Sequence, residues 1–92
     1  DLPPLDPNGE RPHSPQVTAR RMSTLSLREQ AQVVTVHGGG GLRLRLLEMG
    51  FVPGTPVTLV KKAPFGDPLE FCVRGSHLSL RTAEAALIEV QA

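Results

Sequence analysis

Three histidines and one cysteine, His13, His37, His77 and Cys72, are the side chains of this chain best suited to hold a metal ion. Their spacing argues against a preformed site. No C-x-x-C or H-x-x-x-H pair is present, and structural zinc takes four ligands. Cys72 and His77 flank a predicted hairpin tip and would meet across it, which supplies two. His37, Cys72 and His77 are therefore candidates for a metal held between two chains, adventitious or regulatory, and no cofactor is required. No Asp, Glu and His cluster surrounds a cavity in the way that direct passage of a cation would need.

Catalytic readings fail for want of partners. His37-Gly38-Gly39-Gly40 has the look of an oxyanion-hole segment, but the Gly-x-Ser-x-Gly nucleophile turn that must accompany it is missing. The same glycines are no phosphate loop, since no Gly-Lys-Ser/Thr follows them. Acid, base and nucleophile converge nowhere in the sequence. The expectation is a protein that is not an enzyme and works by contact. Arg43 and Arg45, on the polar side of a predicted helix, could steer an acidic partner, although paired arginines on a helix are often simply solvated. Phe65, between Pro64 and Gly66 at a loop tip, suits either an anchor for a partner or a cover for the end of the fold.

The elements that must position these residues follow from local pattern. Leu42 to Met49 is rich in good helix formers and places Leu42 and Leu46 on one face, with Met49 nearby. Gly50 suits the left-handed stop of that helix, with Phe51 folding back on its last turn. Pro53-Gly54 fits the central pair of a type II turn. Ala31–Val36 reads as a strand with Ala31, Val33 and Thr35 on one side and Val34 and Val36 on the other. Val57–Lys62 is the second strand. In Leu69–Arg74 the residues Leu69, Phe71 and Val73 alternate inward. Gly75-Ser76 marks a hairpin before His77–Arg81, whose Leu78 and Leu80 face in. Thr82 caps a single helical turn carrying Glu84, and Leu87–Val90 closes the chain. Arg74 and Arg81 have Glu70 and Glu84 within reach as surface ion-pair partners.

These elements make a mainly β fold: a small, partly closed five-stranded barrel, with a short helix after the first strand and one helical turn before the last. Residues 25–92 form it. Residues 1–24 hold five of the nine prolines and few large apolar groups. Such a stretch cannot bury enough surface to offset its ordering entropy, so a flexible N-terminal tail is expected.

Composition narrows the function further. A net charge of +1 and three phenylalanines, with no Trp or Tyr, give neither a broad basic surface nor stacking platforms. That argues against nucleic acid and anionic lipid as partners. One cysteine fits a reducing compartment. No apolar run approaches the roughly 20 residues of a membrane span, and no signal peptide is visible. The expected setting is the cytoplasm, without membrane insertion.

Four blocks in order and spacing then bring a family to view. They are the glycines before Leu42; Arg45-Leu46-Leu47-Glu48-Met49-Gly50-Phe51-Val52-Pro53-Gly54-Thr55; Ala63-Pro64-Phe65-Gly66-Asp67-Pro68-Leu69; and Arg74-Gly75 with Leu78-Ser79-Leu80-Arg81 and Glu84-Ala85. Over Leu25 to Val90 the chain resembles the ferrous iron transport protein A family, FeoA. The resemblance implies an SH3-like β-barrel and a cytoplasmic accessory role in bacterial Fe(II) uptake. It also implies the membrane permease FeoB as partner, through cytoplasmic domains, with any GTP chemistry belonging to that partner. Weak self-association is compatible with it. The alternative is a metal-responsive regulatory module akin to the C-terminal domain of metal-dependent repressors. A repressor needs a DNA-reading helix pair, which residues 1–24 do not supply.

Overall fold

The computed structural model describes residues 19–92. Six strands and two short helices follow one another: β1 (Arg20–Arg21), β2 (Gln30–Val36), α1 (Gly40–Glu48), β3 (Pro56–Lys62), β4 (Leu69–Val73), β5 (Ser76–Leu80), α2 (Thr82–Ala85) and β6 (Ile88–Gln91). The strands make one antiparallel sheet in the order β1-β6-β2-β3-β4-β5. The five expected strands are present, joined by the two-residue β1. The sheet is not closed by a ladder between β5 and β1, so both are edges.

Alternation sets β4, where Leu69, Phe71 and Val73 are buried and Glu70 and Cys72 lie on the other face. In β2 the simple alternation breaks. Its pairing with β6 shifts between Val33 and Thr35, a bulge that inserts one residue and resets which side faces the core. Val36 is therefore buried together with Ala31 and Val33, not opposite them as the period alone suggests.

The end of α1 is the most fully determined local structure. The Gly50 N–H donates to the Leu47 carbonyl at 3.0 Å and the Phe51 N–H to that of Leu46 at 3.2 Å. With Gly50 at φ 113 this is a complete Schellman stop, and it drives Phe51 into the core beside Leu46. The Thr55 N–H then donates to the Val52 carbonyl at 3.1 Å across Pro53-Gly54, closing the expected turn. Of the expected helix face, Leu46 is fully buried and Met49 packs at the margin, whereas Leu42 is exposed.

Two boundaries differ from the sequence reading. The hairpin tip is Arg74-Gly75, both at positive φ, with Val73 paired to Ser76. That is the backbone of a tight two-residue turn, one position earlier than Gly75-Ser76. Residues 20–24, expected in the tail, are built into the domain. Arg20 and Arg21 pair with Val90 and Glu89, and a 3-10 turn over Met22–Thr24 places Met22 in the core at 0% exposure. The rest of the expected tail, residues 1–18, lies outside the described residues. Among the described residues, no helix is long and apolar enough to cross a membrane.

Candidate partner-contact surface

The residues singled out for contact lie on α1 and on the β3–β4 loop, and α2 connects the two. Arg43 and Arg45 are both exposed on α1, but each has an intramolecular partner. The Arg43 Nε donates to the Val36 carbonyl at 3.0 Å. Arg45 reaches the Glu84 carboxylate at 2.8 Å and so ties α1 to α2. Glu84 also accepts from the Arg81 backbone N–H at 2.9 Å, which closes the first turn of α2.

The loop on the other side of α2 is braced. The Gly66 N–H donates to the Ala63 carbonyl at 2.8 Å, folding a turn with Pro64 and Phe65 at its centre. The Ala63 N–H donates to the Pro68 carbonyl at 3.1 Å and closes the loop at its base. Thr82 grips it from α2: its hydroxyl donates to the Gly66 carbonyl at 2.9 Å and its backbone N–H to the Asp67 carboxylate. Asp67 therefore caps α2 from another element, and Thr82 is the first helical residue, not the cap. The Thr82 N–H bond above all, then its side chain and the Arg81 guanidinium, hold the Asp67 carboxyl below its ordinary pKa. Arg81 thus pairs with Asp67 at 3.7 Å, Glu84 with Arg45 and Glu70 with His77, in place of the expected partners.

Phe65 is 99% exposed at the tip of this loop. It covers nothing, which removes the reading in which it lids the fold. Beside it lies an open cleft of about 280 Å³ lined by Lys61, Ala63, Pro64, Pro68, Glu70 and Ser79.

The candidate metal ligands fall into two places. Cys72 stands directly opposite His77 in the β4–β5 ladder, as the hairpin reading requires, and the His77 Nδ1 lies 2.9 Å from Glu70. His37 is at the end of β2, its Nε2 2.7 Å from Glu89, with β3 and β4 between it and β5. Among the described residues no three His, Cys, Asp or Glu side chains gather to hold a metal ion. His13 lies outside the described residues. The His37–Glu89 pair and the Thr82–Asp67 brace carry no sequence signature, because each joins elements separated along the chain, whereas Glu70 and His77 meet within the β4–β5 hairpin.

Residues 20–92 match the family model described as the FeoA domain. The chain belongs to the FeoA family. A relative from Porphyromonas gingivalis, an Fe(2+) transport protein A/Fe(2+) transporter FeoB fusion protein, is 45% identical over 71 residues, 77% of this chain. The match spans only 8% of that relative's length. Stenotrophomonas maltophilia FeoA, solved in complex with zinc and described as a prokaryotic SH3 domain protein, is 37% identical with a TM-score of 0.67. That alignment covers 75% of this chain and 86% of the other. The T. acidophilum IdeR structure shares the fold, at 20% identity and a TM-score of 0.72, over 96% of this chain and 39% of that one. The FeoA domain described above is thus an SH3-like fold of a ferrous iron transport family.

Proposed function

We propose that this chain is a non-enzymatic cytoplasmic accessory protein of bacterial ferrous iron uptake, acting on a FeoB-type permease. The face it presents is Phe65 with Arg43 and Arg45, met by the permease's cytoplasmic domains. Phe65 carries the geometric part of this reading. An aromatic ring held wholly in water on a braced turn contributes almost nothing to the fold. The same ring contributes substantially when a partner desolvates it. Bracing matters because an anchor fixed before encounter loses little conformational freedom on binding. The choice of partner is supported by the P. gingivalis relative, in which the FeoA and FeoB parts share one chain.

The experiment is Fe(II) uptake in a strain lacking the protein, restored with the wild type, with Phe65→Ala, or with Arg43→Glu and Arg45→Glu combined. Truncating a hot-spot aromatic costs on the order of 2 kcal/mol of binding, about thirtyfold in affinity. Charge reversal slows encounter with an acidic patch and sets like charges against it. Both variants are expected to fold and to restore uptake poorly. Full restoration by a folded Phe65→Ala protein would remove this face from the contact.

A further inference from the structure

Charge on the domain is unevenly partnered. Among the described residues, Glu29, Asp67 and Glu84 pair with arginines, and Glu70 and Glu89 lie beside His77 and His37. Arg28, Lys61 and Lys62 have no carboxylate partner among the described residues, and all three are exposed. They stand at one end of the sheet. The Arg28 N–H donates to the Leu59 carbonyl at 2.6 Å, and the Leu59 N–H donates to the Glu29 carbonyl at 3.2 Å. The Leu27-Arg28 turn therefore lies beside the stretch of β3 that ends in Lys61 and Lys62. Arg28 holds φ 70, a conformation that glycine adopts freely and arginine does not, and Leu27 next to it is 53% exposed. The nearby carboxylates are Glu29, taken by Arg20, and Glu70, which lies 2.9 Å from His77 and stands opposite Lys61 in the β3–β4 ladder.

The chain enters the domain at the same end. β1 is antiparallel to β6, and β6 to β2, so β1 runs parallel to β2. Arg20 faces Val90, which faces Val33, so stepping back from Arg20 leads toward the start of β2 and the Arg28 turn. The Arg20 guanidinium is itself bonded to Glu29, the neighbour of Arg28. Ahead of this point the sequence changes sign. Residues 1–18 contain Asp1, Asp6 and Glu10 against the single Arg11, whereas the described residues carry more arginine and lysine than acid. The stretch from Glu10 to Ala19 can span up to about 30 Å, ample for a corner adjoining its point of entry.

We infer that the acidic N-terminal segment, through Asp6 and Glu10, docks in cis on the corner formed by Arg28, Lys61 and Lys62. The contact is between exposed charges, so it exchanges rapidly and is screened by salt. It does not rest on the permease reading. An acidic partner that approached this corner would have to displace the chain's own segment.

The test uses the full chain carrying Cys72→Ser and Asn8→Cys, with a nitroxide on the new thiol and ¹⁵N on the backbone. Spectra are recorded in excess unlabelled wild-type chain, so that contacts between copies are invisible. At about 0.05 M salt the amides of Leu27, Arg28, Lys61 and Lys62 should lose at least half their intensity, and recover at about 0.5 M. Lys61→Glu with Lys62→Glu should abolish the loss without shifting amides of the core. Broadening centred elsewhere, broadening indifferent to salt, or none would overturn the inference. Broadening of these amides that appears only without the unlabelled excess would assign the contact to a second copy and overturn it equally.

Discussion

Leu46 and Arg74 are the residues at which stability can be moved most cleanly in opposite directions. Leu46 is fully buried at the inner face of α1, beside the Schellman stop. Leu46→Asp places a carboxylate there with no cation to meet it, at a cost of several kcal/mol. A domain of this size has about 5 kcal/mol in hand, so the variant is expected to be unfolded at room temperature. A cooperative melt within a few degrees of the wild type would show that α1 does not rest on the sheet. Arg74 is the opposite case. It holds φ 51 at the first central position of the β4–β5 turn, where asparagine sits more comfortably than a long unbranched side chain. Arg74→Asn should gain on the order of 0.5 kcal/mol and raise Tm by about 2–4 °C in a calorimetric scan. No gain would mean that the Arg74 side chain compensates through contacts of its own.

At the scale of elements, the join between α2 and the β3–β4 loop is sensitive to acid. Because hydrogen bonds from Thr82 lower the Asp67 pKa in the folded protein, the carboxylate stabilises the fold above its unfolded pKa, near 4. That contribution is lost as pH falls through the lower folded value. Asp67→Asn should therefore melt below the wild type at pH 7, with the gap closing as the pH falls below about 4. Glu29, also lowered by its bonds to Arg20 and Ser26, is unchanged in both proteins and drops out of the difference. A gap constant over this range would mean that Asp67 acts as an uncharged acceptor only. The elements also show what local pattern can convey. The stop at Gly50, the Pro53-Gly54 turn and the alternation of β4 are decided within a few residues, and all stand where the sequence puts them. The bulge in β2 is decided by pairing with β6, more than fifty residues along the chain, and so Val36 changes sides unannounced. Met22 and Arg20 join the domain for the same kind of reason: the core contact and the pairing of β1 with β6 exist only once distant parts have met. Of the contact candidates, position on α1 and at the loop tip was readable. The internal bonds that hold Arg43, Arg45 and the Phe65 loop were not.

For the molecule as a whole, the pairing of β1 with β6 has a topological consequence. Arg20 and Val90 are directly opposed in neighbouring strands, which in an antiparallel ladder are about 5 Å apart. The domain's entry and exit therefore share one edge, and a hairpin-length connection of a few residues is enough to join them. A circular permutant that links Ala92 to Ala19 through a short Gly/Ser bridge and opens at the exposed Arg74-Gly75 tip should fold. Its amide spectrum should match the native one away from the new termini, and a spectrum of an unfolded chain would show that the β4–β5 turn must form early or intact. Built this way, the domain behaves as a cassette with both leads on one side. It can sit at either end of a longer polypeptide, or within a surface loop of one, without its host having to spread two attachment points apart.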